Sequence, residues 1–366
     1  MEKSSKLLEL LEKIAPGTEF RNGIDSILSA KFGALIVVSD DPEITKLFDG
    51  GFYINCEFTP QRLFELSKMD GAIIVDQKIE KILYANVQLH PSPSIPTSES
   101  GTRHRIAERF AVQTNSFVIT ISERRTVVTI YKGEIRYRLM DVNNLIIATN
   151  QAVRMVERYR LVIEKMLDNL TILEFDNLVT LVEVDECLQK FAFLFKVAKE
   201  CTNYIVELGI EGRLLEMQLD EILIDLDKEL EFLILDYYNP KKKLDIGKIL
   251  LELEHMDMSE ALEVKFLSGF LGYERSNSNL DKEVEPKGFR ILNKITKLSQ
   301  KDIDNIIYHF ESFTAILNSD LNDLSEIRGI SKIKAQTLKN GLQRLRNTLL
   351  LEREIKPVEE EEIYEL

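Results

Sequence analysis

Between Met69 and Val75 the chain reads Met-Asp-Gly-Ala-Ile-Ile-Val, and the character of the whole first domain hangs on these residues. Ile73-Ile74-Val75 is a short apolar run, β-branched throughout and introduced by Asp-Gly, a turn pair. It therefore predicts a buried strand entered by a tight turn. Gly71 lets another backbone or a flat ring approach closely. Asp70, at a helix-to-strand junction, is expected to stand exposed at the end of a sheet, although Asp-Gly alone is also an ordinary turn. Similar strand-like runs occupy Ala34–Val38, Ile82–Val87, Ser116–Ile121 and Thr126–Tyr131, with Gly71–Val75 among them. Helices are predicted at Pro42–Phe48, Pro60–Met69 and Thr102–Val112. Asp41-Pro42 and Thr59-Pro60 each pair an N-cap with proline at the first helical position. Lys132-Gly133 predicts a hairpin into Glu134–Leu139. Residues 1–140 thus read as an α/β domain, without Gly-x-Gly-x-x-Gly or Gly-x-x-x-x-Gly-Lys.

The texture changes from about Asp141 to Pro286. Glycine and proline become scarce, and Val153, Val156, Tyr159 and Val162, then Leu188, Phe191 and Phe195, recur at helical spacing. The acids of Glu211–Asp236 read as the solvated face of a helical spine, because no histidine joins them at ligand spacing. Ser276–Pro286 is polar and reads as a linker. Residues 287–351 are helical again, and Leu321–Leu350 carries six basic against two acidic residues on a chain of net charge −14. Residues 352–366 form an acidic tail, of which Val358–Leu366 is expected to be disordered.

With 366 residues, 44% hydrophobic and 30% charged, the chain has enough apolar material for two or three packed cores. No run approaches the roughly 20 apolar residues of a membrane span. Met1–Pro16 is amphipathic and lacks the plan of a signal peptide. Three scattered cysteines, Cys56, Cys187 and Cys201, argue against a disulfide scaffold or zinc site and for the cytoplasm. The acidic balance argues against a surface that coats DNA throughout, while leaving room for one basic module.

Two further stretches carry chemistry. Ser98-Glu99-Ser100-Gly101-Thr102-Arg103-His104-Arg105 runs from a small-residue loop into a helix start. Backbone N–H groups there attract anions, and Arg103 and Arg105 supply bidentate phosphate donors. His104 offers another hydrogen bond or a proton near neutral pH. Stacked cations oppose the helix dipole, which favours an anionic ligand. Internal pairing of the arginines with Glu99, Glu108 or Glu123 explains the composition equally well, and the residues leave both readings open. Ser122-Glu123-Arg124-Arg125, after a strand, adds a hydroxyl, an acid and two cations. By itself it is a solvated turn.

Asp-Gly-Ala, then Gly-Thr-Arg-His-Arg some thirty residues later, then Ser-Glu after a strand, resembles the diadenylate cyclase (DAC) domain family over about Leu7–Leu139. The resemblance implies an α/β cyclase domain with a mixed sheet. It implies condensation of two ATP into cyclic di-AMP and two pyrophosphates, with Mg²⁺ or Mn²⁺. Asp70, Arg103, His104 and Arg105 would be catalytic, with Asp70 holding metal and helping to activate the ribose 3′-hydroxyl, and Glu123 assisting the metal. Gly71, Ala72, Leu89 (through its backbone), Thr102, Ser122 and Arg125 would bind ATP. Ile106 departs from the alanine common in relatives, a change that bears on helix packing. One nucleotide per domain cannot yield a symmetric two-bond product, so two cyclase sites must face each other.

Leu324–Ala335 resembles a helix-hairpin-helix, in which backbone N–H groups at a tight turn meet a DNA phosphate. Gly329 supplies the turn, Ser331 stands where a second glycine is usual, and Arg328, Lys332 and Lys334 add charge. Ile295–Ser299 is a degenerate companion. The whole arrangement, cyclase domain, all-α spine and C-terminal helix-hairpin-helix domain, resembles a DNA-scanning member of the family. That implies binding of branched DNA such as Holliday junctions, lowered cyclase output on binding, a place in DNA damage and repair, and a homo-octamer. The competing readings are a junction sensor that binds ATP or cyclic dinucleotide without turnover and, for the last module alone, a protein-interaction domain.

Overall fold

A computed structural model describes residues 2–295 and 297–355. The acidic tail beyond 355 and Thr296 of the companion hairpin lie outside the described residues. Two compact units emerge, Met1–Gln151 with Cys201–Met217, and Ala152–Glu200 with the chain from Gln218 onward.

The first unit is a mixed sheet covered on both faces. Its elements are α1 (Glu2–Lys13), α2 (Glu19–Ser29), β1 (Ala34–Val38), β2 (Phe48–Asp49), β3 (Phe52–Glu57), α3 (Pro60–Leu66), β4 (Ala72–Val75), β5 (Lys81–Leu89), α4 (Thr102–Thr114), β6 (Phe117–Ser122), β7 (Val127–Lys132) and β8 (Ile135–Arg138). The strand order is β2-β5-β4-β1-β6-β7-β8, with β3 also on β5. Only β1 and β4 run parallel. Alternation along the strands divides the core. Ala34, Ile36 and Val38 face one layer with Ile24 and Ile27 of α2 and Leu63 of α3. Leu35 and Val37 face the other, with Ala107, Phe110 and Ala111 of α4. Burial on both faces is why β1 is apolar at every position. Each fully buried aliphatic contributes roughly 1.5–3 kcal/mol to this sandwich.

The predicted caps are present. Thr59 accepts from the Arg62 amide at 3.2 Å, and Asp41 from Glu43 at 2.9 Å. The segment Pro42–Leu47 is a 3₁₀ rather than an α-helix. The edge strands β2 and β3 escape the sequence reading because their exposure alternates instead of forming an apolar run.

The second unit is helical. It takes in most of α5 (Val142–Asp176) and α6 (Leu181–Leu208), with part of α7 (Arg213–Leu223), then α8 (Leu226–Tyr237), α9 (Ile246–His255) and α10 (Met258–Ala261). It continues through α11 (Phe289–Asn293), α12 (Gln300–Phe310), α13 (Phe313–Asn318), α14 (Leu321–Glu326) and α15 (Lys332–Ile355). Ile291, Ile306, Phe313, Leu324 and Leu338 form the core of the last five helices. A buried polar network ties α11 to the spine. Arg290 donates to Leu167 O, Thr171 Oγ1 and Glu174 Oε2, while Asp236 accepts from the Gly288, Phe289 and Arg290 amides. The stretch read as a linker is pinned, since Leu181 and Val182 donate to Lys282 and Leu280, and Val284 donates to Val179. Its polar composition hid a backbone pairing that needs no apolar side chains.

Candidate active site

Strand register gathers the motifs at one end of the sheet. Ile36 pairs with Ile73 in the parallel β1–β4 ladder, so Gly33 and Asp70-Gly71 precede neighbouring strand starts. Ala34 pairs with Ile121 and Ala72 with Val87, which brings the ends of β6 and β5 to the same place. Gly71 has φ +91°, and a side chain there would run into Val87 O and the Asn86 backbone. Glycine thus permits the sharp entry into β4 that leaves Asp70 exposed. Ala72 and Leu89 are buried, with their side chains in the core on the α4 face. Only their backbones are left to meet a ligand.

The start of α4 lies at this end as well. Gly101 is its N-cap, Thr102 and Arg105 are exposed, and the first turn holds no acid. Arg103 lies over Gly33, its Nη1 only 2.0 Å from where a Cβ of residue 33 would stand. The internal-pairing reading of the arginines finds no support among the described residues. Glu99 pairs with Arg136 at 2.8 Å, and Glu108 accepts from Thr97 and the Ser98 amide.

His104 is tied inward. Its Nδ1 lies 3.0 Å from Tyr131 Oη and 2.9 Å from Thr120 Oγ1. Tyr131 donates to Glu99 Oε1 at 2.8 Å. Burial, with the charges of Arg103, Arg136 and Arg125, holds the imidazole below its ordinary pKa against the pull of Glu99. Ser122 ends β6 half-buried and accepts from the Arg125 amide at 3.3 Å, while Glu123, Arg124 and Arg125 form an exposed turn.

Far along the chain, the hairpin between α14 and α15 turns at Gly329, φ +93°, with Ile330 N–H bonded to Ile327 O at 3.0 Å. Ser331, in place of the second glycine, accepts from the Lys334 amide and opens α15. Arg328 and Lys332 are exposed. Lys334 is engaged within the module, donating to both Asp302 oxygens at 2.7 and 2.8 Å and to Gly329 O. It braces the turn, and the exposed charge of the hairpin rests on Arg328 and Lys332.

The chain has counterparts among known proteins. Residues 21–135 match the family described as DisA bacterial checkpoint controller nucleotide-binding, and residues 139–280 match its linker region. The DNA integrity scanning protein DisA of Fusobacterium nucleatum is 44% identical over 347 residues, 95% of this chain and 99% of that protein. The chain belongs to the DisA family. DisA proteins of Clostridium beijerinckii and Carboxydothermus hydrogenoformans are 41% and 42% identical, over 97% and 94% of the chain and 99% and 98% of their own lengths. A solved structure of DacA from Staphylococcus aureus is similar at 22% identity and a TM-score of 0.28, covering 38% of this chain and 91% of that one. As a DisA-family protein with a DAC domain, the chain is a diadenylate cyclase. Among the described residues no helix is long and apolar enough to cross a membrane.

Within this DisA-family site, Gly33 and the group Thr120, Tyr131 and Arg136 go unmarked by sequence motifs, while Glu99 stood in the quoted Ser98–Arg105 stretch only as a pairing candidate for its arginines. Thr120 and Tyr131 sit 16 and 27 residues from His104 and reach it only because β6 and β7 pair side by side. The one sequence signal for this group is a polar Thr120 and a Tyr131 in runs that are otherwise apolar.

Proposed function

We propose that the Asp70–Arg103 end of the sheet binds one ATP, and that two such ends, face to face, make cyclic di-AMP. The observation that carries this reading is an exposed aspartate sharing a sheet end with two arginines that no acid among the described residues pairs with. Gly71, Ala72 and Leu89 meet the nucleotide through backbone. Thr102, Arg103, His104 and Arg105 surround its phosphates, and Ser122 and Arg125 meet the terminal one. Each 3′-oxygen attacks the α-phosphorus of the facing ATP. An O–P bond forms, the bond to the β-phosphate oxygen breaks, and pyrophosphate leaves. Catalysis of this kind rests on positioning and charge neutralisation.

Mg²⁺ or Mn²⁺ fits the residues present. No cluster of three or more metal-ligating side chains occurs among the described residues, and a hard cation shared with substrate phosphates needs only one or two carboxylates. Asp70 would hold it, assisted by Glu123. When bound, such an ion neutralises phosphate charge and acidifies the 3′-hydroxyl.

The C-terminal hairpin, through Arg328, Gly329, Ser331 and Lys332 and braced by Lys334, binds branched DNA by its phosphates, and binding lowers cyclase output. The family likeness supports this direction, together with an octameric assembly and a cytoplasmic place in DNA repair. The test is chromatography of products from ATP with Mg²⁺ or Mn²⁺, with and without a four-way junction. Cyclic di-AMP and pyrophosphate should appear, more slowly as junction DNA is added. A junction that binds while the rate stays flat would remove the coupling.

A further inference from the structure

The hydrogen bonds around His104 fix where its proton sits. Tyr131 has one proton and gives it to the Glu99 carboxylate at 2.8 Å. The Thr120 hydroxyl lies 2.9 Å from Nδ1 and 3.4 Å from Thr129 O, and its proton can turn to either. Tyr131 Oη, its proton committed to Glu99, thus faces Nδ1 as an acceptor at 3.0 Å. An unprotonated Nδ1 would set its lone pair against that committed Tyr131 oxygen in a half-buried place. Glu99 is itself clamped. Arg136 reaches it at 2.8 Å and Ser98 Oγ at 2.9 Å, and the Glu99 side chain keeps only 13% of its exposure. Burial and the Glu99 bond raise the Tyr131 pKa, so Tyr131 stays a phenol and a donor. The far edge of the imidazole, Cδ2 with Nε2 beside it, lies toward Gly101 at the start of α4.

We infer that Glu99 and Tyr131 are positioning residues that hold His104 as the neutral Nδ1–H tautomer, so that Nε2 brings a lone pair to the phosphate-binding end of α4. The inference rests on that end being the cyclase site and refines the part His104 plays in it. A lone pair there repels a phosphate oxygen and accepts a proton or a cation. The two arginines flanking it carry the phosphate contacts, and His104 is the acceptor among them. Burial, with Arg103, Arg136 and Arg125 set against Glu99, lowers the imidazole pKa and so favours the neutral ring that this geometry needs.

Nitrogen-15 NMR of the histidine-labelled full chain tests this directly. There are four histidines, and His104→Gln assigns the signal by its loss. The expected spectrum has His104 protonated on Nδ1 and bare on Nε2. Tyr131→Phe keeps the ring and removes the oxygen whose proton is committed to Glu99, leaving the Thr120 hydroxyl to donate to a bare Nδ1. It should shift the proton toward Nε2 and lower kcat by about 10- to 100-fold, the usual cost of an orienting partner, with the KM for ATP nearly unchanged. Glu99→Gln keeps an acceptor for Tyr131 and should retain more activity than Glu99→Ala. A wild-type His104 protonated on Nε2 or on both nitrogens overturns the inference. So does a Tyr131→Phe protein with unaltered tautomer and kcat. Failure of the underlying site reading shows separately, as full turnover in Asp70→Asn, because the tautomer is read without turnover.

Discussion

Gly33 shows how a residue without functional groups can hold a functional one in place. The Arg103 guanidinium lies against its bare Cα, within 2.0 Å of a Cβ position. Alanine fits the backbone of residue 33, and the flexible end of Arg103 can yield, so Gly33→Ala should fold normally. It should displace Arg103 and lower kcat/KM for ATP by about 10- to 100-fold, the loss of one charge-assisted hydrogen bond. Steady-state kinetics beside a thermal melt checks this, and equal loss of stability and activity would contradict it. The exposed place of Asp70 was readable in the sequence, because Asp-Gly before Ile73-Ile74-Val75 is a local signal. Gly33 and Tyr131 were not, because their roles arise only when β1, β6 and β7 align.

Among the elements, the strands buried on both faces announce themselves as apolar runs, and β1 spans the predicted Ala34–Val38. Edge strand β3 and helix α2 carry weaker patterns, and packing defines them. The α6 helix carries a cost of its own. Asp185 is fully buried, bonded to Ser268, with Oδ1 lacking a partner. Burial raises its pKa from 3.8 to about 7, against the Ser268 bond. The native chain therefore holds a proton that the unfolded chain releases, and stability falls as pH rises from about 4 to about 7. Asp185→Asn should flatten that slope in denaturant titrations at pH 5, 6 and 7. Parallel slopes in the two proteins would place the titration elsewhere.

At the scale of the whole molecule, composition changes at the expected joins of the chain, whereas nothing in the sequence marked the α11 anchorage. Arg290 is buried on Glu174, with Asp236 beside it capping the start of α11. A truncation before Arg290 would strand two buried carboxylates, so DNA coupling is better probed by point changes. Arg328→Ala with Lys332→Ala should weaken junction binding, flatten its salt dependence by about two counterions and leave basal cyclase turnover intact. An unchanged salt slope would move the DNA contact away from the hairpin. The central claim concerns the other end of the chain, where one exposed carboxylate serves a sheet end lined with phosphate donors. Its most direct test is the rate of cyclic di-AMP formation by Asp70→Asn, with circular dichroism to confirm the fold. Asparagine keeps the shape and removes the charge, so turnover should be lost from a protein with an unaltered spectrum. Turnover near the wild-type rate would contradict the account.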